Sequence, residues 1–194
     1  MGSYPYLTAS LPALSLGAPP PFAPEEFLFR CQGVLAAEDL EELRLVLENR
    51  AGEGRSAFAK AWAAADAQIR NAAAKLRGAK LGVEAKPFLR DHPGYAVWLD
   101  RAVGEALAKG NPLERETGLD AARWAFVEDA ARADATGLPA VLAFAVKLLL
   151  CARWAAMKEE AGRARLDELV ETLEANASST GAVDFKQDNK AVNE

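Results

Sequence analysis

Few side chains in this sequence are suited to chemistry, and their spacing says what chemistry is open to them. The one histidine, His92, stands between Asp91 and Pro93. A zinc site needs several His, Cys or carboxylate ligands converging, and no second His or suitably spaced Cys accompanies it. Asp91 beside it does not make a triad, because neighbours in sequence seldom face one another. His92 is therefore expected to be a turn residue or a local hydrogen-bonding group, and an enzyme would need Arg90, Asp91 and His92 to converge on a pocket. The stretch Gly52-Glu53-Gly54-Arg55-Ser56 has neither the spacing nor the lysine of a phosphate-cradling loop. Carboxylates come in adjacent pairs: Glu38-Asp39, Glu41-Glu42 and Glu128-Asp129. On a helix such neighbours point about 100° apart, so the pairs predict a solvated acidic face. A di-metal helix bundle would need Glu-x-x-His pairs, and none occur. Cys31 and Cys151 lie in apolar surroundings, which predicts buried free thiols in a reducing cytosol. The expectation is a protein that is not an enzyme, with no cofactor and no metal.

The elements that must hold these residues are helices. Of 194 residues, 42 are Ala and 25 Leu, against one Ile, 11 Val and 5 Thr. Ala and Leu lead the helix scale, whereas β-branched residues lose side-chain freedom in helices and favour strands. A sandwich or barrel is excluded by this bias, and a buried parallel sheet would need Val/Ile runs that are missing. A formal charge of −5 disfavours sequence-independent binding of nucleic acid. The first residues lack a charged leader region, so no secretory signal is expected. The longest apolar run, Leu138 to Met157, is interrupted by Lys147 and Arg153, which reads as a buried helix with no direct membrane insertion.

The fold expected is all-α, an irregular multi-helix bundle of about seven helices with an extended proline-containing N-terminal arm. Residues 1–24 form the arm. Six of the ten prolines fall there, and each removes a backbone donor and disrupts a helix interior. The arm also carries Tyr4, Tyr6, Leu7, Leu11, Leu14, Leu16 and Phe22, which predicts packing on the body. Residues 25–177 form the helical domain. Helices are expected over about 24–32, 37–50, 56–77, 83–89, 95–109, 113–133 and 139–160, with a further stripe to about 176. Ser56 is the predicted N-cap of the third. Its apolar positions Phe58, Trp62, Ala65, Ile69, Ala72 and Leu76 are spaced to form a seam against another helix. Gly162 marks a kink or break in the last segment. Residues 178–194 read as a flexible polar tail.

Trp62, Trp98, Trp124 and Trp154 lie in or beside apolar stripes, as core anchors or as a partner surface. Lys147 and Arg153, on a helix apolar nearly all round, either send their heads to the surface or meet a carboxylate on another helix or subunit. Residues 51–80 carry six basic and two acidic groups, and residues 111–135 six acidic and three basic, which predicts oppositely charged faces for docking.

One resemblance adds to this. Tyr4-Pro5-Tyr6-Leu7-Thr8-Ala9-Ser10-Leu11-Pro12, then Pro20-Pro21-Phe22 and the Glu-Glu-Phe-Leu at residues 25–28, resemble the start of a bacterial protein family encoded in operons for V-type (A/V-type) ATPases. Leu148-Leu149-Leu150-Cys151-Ala152-Arg153-Trp154, followed by Gly162 and an amphipathic helix, is similar to the end of such chains. By gene position the family is similar in role to that machine's all-helical funnel component, which sits on the membrane ring and receives the central shaft. The resemblance implies a non-catalytic structural or coupling subunit of a proton- or sodium-translocating ATPase. Its partners would be the central shaft and the membrane rotor ring, and its place cytoplasmic, peripheral to the inner membrane through the complex. The alternative is a free-standing helical protein-protein binding module or regulator. The candidate partner-binding residues are Tyr4, Pro5, Tyr6, Leu7, Leu11, Pro12, Arg153 and Trp154.

Overall fold

Proline at a first helical turn, serine or asparagine at an N-cap and glycine at a C-cap decide where these alanine- and leucine-rich segments begin and end. A computed structural model describes residues 2–157 and 159–184. Among them are eight α-helices: α1 (Pro5–Ser10), α2 (Pro24–Cys31), α3 (Ala37–Leu47), α4 (Ala57–Leu81), α5 (Val97–Leu107), α6 (Pro112–Ala131), α7 (Leu138–Ala156) and α8 (Glu159–Asp184). The molecule is all-α; the one β pairing among the described residues is an antiparallel bridge between Ser3 and Gly137. The chain forms two compact units, residues 1–155 and 156–194.

Local chemistry explains the boundaries. Pro24 opens α2 with Glu25 and Glu26 in the first turn, where the helix dipole favours negative charge. Ser56 caps α4, its hydroxyl oxygen accepting the Ala59 N–H at 3.1 Å. Gly82 ends α4 at φ +67°, the left-handed conformation that glycine adopts without steric cost. Asn111 caps α6 by accepting the Leu113 N–H at 2.8 Å, and Pro112 follows at the first helical position.

The first unit has two apolar cores. One is built around α7, where Leu138, Val141, Leu142, Phe144, Val146 and Leu148 are buried with Phe27 and Cys31 of α2 and Leu43 and Val46 of α3. The other joins Ala65, Ile69, Ala72 and Ala73 of α4 to Leu99, Val103 and Ala106 of α5 and Leu119 and Ala122 of α6. Alanine and glycine allow close approach there: a Cβ on Gly118 would lie 2.7 Å from the Ala106 Cβ. Phe126 touches both cores, its ring centroid 6.4 Å from Trp62 and 6.5 Å from Trp98. By length and composition α7 could cross a membrane, but 56% of its most apolar window is packed inside the protein.

Several expectations need correction. The arm is not wholly extended, because Pro5 starts the six-residue α1, with the Tyr4 carbonyl accepting the Thr8 N–H at 2.9 Å. The helix expected over 83–89 is only a 3-10 turn, Lys86–Phe88. The break near the C-terminus comes before Glu159, so Gly162 lies inside α8. Helix α8 runs to Asp184, past residue 178, the expected start of the polar tail, and residues 185–194 fall outside the described residues. Within the second unit, Leu166, Leu169, Val170 and Leu173 of α8 form an exposed apolar stripe at helical spacing.

Candidate functional site

The arm motif is fastened at both ends. Tyr4 donates its N–H to the Thr136 carbonyl at 2.6 Å, beside the bridge at Gly137. Its hydroxyl donates to the Asp39 carboxylate of α3 and accepts the Ala36 N–H at 3.2 Å. Burial and the bond to Asp39 push the phenol above its ordinary pKa, so it stays a donor. Leu7, Leu11, Leu14 and Leu16 pack on the α7 core, and the Ser15 carbonyl accepts the Cys151 thiol at 3.4 Å. Phe22 closes the arm against Phe27 and Phe144, with the Arg30 guanidinium 4.5 Å above its ring. The structure thus uses Tyr4, Leu7 and Leu11 within the chain. Pro12 is half-buried, Pro5 is exposed, and Tyr6 is 92% exposed.

Arg153 and Trp154 of α7 converge on one carboxylate. Asp120 of α6 is fully buried and accepts Arg123 Nη1 at 2.8 Å, Arg153 Nη1 at 2.8 Å and Trp154 Nε1 at 2.9 Å. Arg153 Nη2 reaches Glu116 at 2.8 Å, and Arg77 of α4 reaches the same carboxylate at 3.2 Å. Arg123 Nε binds Asp66 of α4 at 2.9 Å, and Asp66 also accepts Arg70 at 2.6 Å. The bond from Arg153 lowers the Glu116 pKa. Burial disfavours the Arg123 charge, but Asp66 and Asp120 outweigh it and raise the pKa. This network ties α4, α6 and α7 and forms one wall of a cleft of about 1030 Å3. Lys147 makes a second tie, its ammonium 2.6 Å from Glu128 of α6 and 4.8 Å from the centre of the Trp124 ring. For both cations, then, the partner is a carboxylate on another helix.

The sequence predicts acidic pairs that are solvated together, and the structure divides two of them. Glu38 and Glu41 are exposed, while Asp39 and Glu42 are buried, because adjacent helical residues point to different sides. Glu42 accepts the N–H groups of Arg55 and Ser56, thereby organising the Gly52–Ser56 turn at the start of α4. Burial raises its pKa, yet these donors prevail and the net shift is downward. The charged segments 51–80 and 111–135 likewise meet each other: Arg77 with Glu116 pairs their opposite excess charges, and Arg123 with Asp66 pairs the minority charge of each.

Arg90, Asp91 and His92 do not converge: Arg90 borders the large cleft, and neither neighbour does. His92 lies in the irregular stretch before α5, and its Nδ1 is buried without a hydrogen-bond partner among the described residues. Cys31 and Cys151 are free and buried; burial lifts the Cys31 thiol to about 11, which keeps it protonated. Sequence reasoning misses the buried role of Asp120. The signal for it is Arg153 on an apolar helix, for which a carboxylate on another helix is one of the two expected outcomes.

Residues 97–177 match a family described as protein of unknown function (DUF2764). The matched span is less than half of the chain. It contains Asp120, Arg123, Glu128, Lys147, Arg153 and Trp154, and it leaves out the arm. No curated protein and no solved structure matches this chain.

Proposed function

We propose that this protein is a non-catalytic structural or coupling subunit of a V/A-type proton- or sodium-translocating ATPase, working between the central shaft and the membrane rotor ring. The arm carries this reading. Its Tyr4-to-Pro12 motif is the segment that resembles the operon-encoded family, and it is pinned to α3 and to the α6–α7 connection with Tyr6 facing outward. An exposed aromatic side chain on an anchored backbone binds a partner at small entropic cost. Tyr95, just before α5, and Val97 and Trp98 in its first turn add further exposed apolar surface. The ion pairs joining α4, α6 and α7 give the rigidity that a part transmitting torque or resisting it requires. The protein would act in the cytoplasm, held peripherally at the inner membrane by the complex.

Deletion of the gene in its native host tests this reading. The expected outcome is residual ATP hydrolysis with loss of ATP-driven ion pumping in membrane vesicles, restored by the wild-type gene and restored poorly by Tyr6→Ala. Unimpaired pumping in the deletion strain, with the protein co-purifying with a partner outside the ATPase, would establish the free-standing binding module instead.

A further inference from the structure

The network around Asp120 leaves positive charge and donors unspent. The cleft it borders is lined by six arginines, Arg50, Arg70, Arg77, Arg90, Arg123 and Arg153, and by four carboxylates, Glu53, Asp66, Glu116 and Asp120. Arg50 is committed to Glu48 and Glu53 through all three of its nitrogens. Asp66 and Asp120 hold Arg123, and Asp120 and Glu116 hold Arg153. Arg70, Arg77 and Arg90 keep the most free donors. Arg70 uses only Nε, Arg77 uses only Nη2, and the Arg90 guanidinium makes no hydrogen bond or ion pair among the described residues. The Arg90 backbone is nonetheless fixed, its N–H donating to Asn71 Oδ1 at 2.9 Å and its carbonyl accepting Asn71 Nδ2 at 2.7 Å. Trp62, Leu149 and Leu150 supply an apolar portion of the same lining.

We propose that this cleft binds an oligophosphate, a di- or triphosphate group held by Arg70, Arg77 and Arg90. Guanidinium groups match phosphate oxygens with paired, charge-assisted hydrogen bonds, and a phosphate chain offers several oxygens to donors on separate elements. Asp66 and Glu116 orient Arg70 and Arg77 without using up their donors, so little rotamer freedom is left to lose on binding. The volume, about 1030 Å3, accommodates a ligand larger than a single phosphate. The phosphates could come from inorganic pyrophosphate or from a nucleotide whose base lies on the Trp62 side. This site is independent of the arm and of the coupling role proposed above.

Isothermal titration of the full chain at low ionic strength, with inorganic pyrophosphate and with ADP as probes, tests the assignment. Saturable one-to-one binding is expected, weakened about tenfold or more by Arg90→Gln and by Arg77→Gln. Arg101→Gln, on an exposed α5 pair with Glu105, should leave affinity within about twofold. Since the Arg90 guanidinium bonds to nothing among the described residues, Arg90→Gln should melt with the wild type, so its loss of binding cannot be ascribed to unfolding. Tighter binding of ADP than of pyrophosphate, with the difference removed by Trp62→Leu, assigns the phosphates to a nucleotide; equal affinities assign the site to the phosphate chain alone. Absence of saturable binding for both probes overturns the proposal. So does an equal loss in Arg101→Gln and Arg90→Gln, which would mean diffuse charge attraction, or binding of a poly-glutamate peptide when neither phosphate binds.

Discussion

Asp120 shows how one buried charge is made tolerable. A carboxylate taken out of water costs several kcal/mol unless its oxygens are satisfied, and here two guanidinium groups and an indole N–H satisfy them. Asp120→Asn removes the charge but keeps the shape, leaving Arg123 largely buried beside a weaker acceptor. Thermal unfolding should show a loss of about 3 kcal/mol, which for a chain of this size is about 6–12 °C. Glu42 gives a prediction in pH. Its folded pKa lies below the ordinary carboxylate value near 4.3, so its stabilising effect is complete above that value and is lost as pH falls through the folded pKa. The stability gap between wild type and Glu42→Gln should therefore be full at neutral pH and close as pH falls below about 4, as read by urea unfolding at each pH. Glu42 and Asp39 were legible only as members of acidic pairs. Which member turns inward depends on the rotation of α3 about its axis, which tertiary packing sets and local sequence does not.

Helix positions were legible where caps and glycines mark them. Ser56 caps α4 as its pattern predicts, although α4 runs on to Leu81, past the expected end near residue 77, and the seam of α4 is buried at Phe58, Ala65, Ile69 and Ala72. It fails at Leu76, which is 45% exposed and lines an open groove with Leu107 of α5 and Pro112 of α6. The segment 83–89 misled because its apolar residues Val83 and Phe88 remain exposed and bury no helical face. Two glycine substitutions separate close packing from helix propensity. Gly118→Ala would place a Cβ 2.7 Å from the Ala106 Cβ and 3.2 Å from its Cα, so the clash should outweigh the helix gain and destabilise by about 1–2 kcal/mol. Gly104→Ala on α5 meets nothing within 4 Å and should stabilise by about 0.5–1 kcal/mol. Paired calorimetry of the two variants would read these opposite signs. The arm offers a larger test. Five partly buried apolar side chains, Leu7, Leu11, Leu14, Leu16 and Phe22, cover the α7 core, and at about 1 kcal/mol each their deletion with residues 3–22 should cost about 5 kcal/mol, or about 10–20 °C in melting temperature. An unchanged melting temperature would show that the arm stabilises nothing in the isolated chain.

At the scale of the molecule, charge is arranged to hold helices together more than to advertise a face. α4 and α6 meet through Arg123–Asp66 and Arg77–Glu116, and α7 joins them through Arg153. All-α architecture followed directly from the Ala and Leu excess over β-branched residues. The cleft did not, since Arg70, Arg77, Arg90 and Arg153 are separated by up to dozens of residues and only the fold assembles them. What the assembly is for rests on the arm, whose Tyr6 is presented outward by an anchor at Tyr4. Native mass spectrometry of the ATPase purified from the native host tests that claim most directly. The coupling role predicts this chain in the intact, coupled complex at a fixed stoichiometry, and its absence from a fully coupled enzyme would contradict that role.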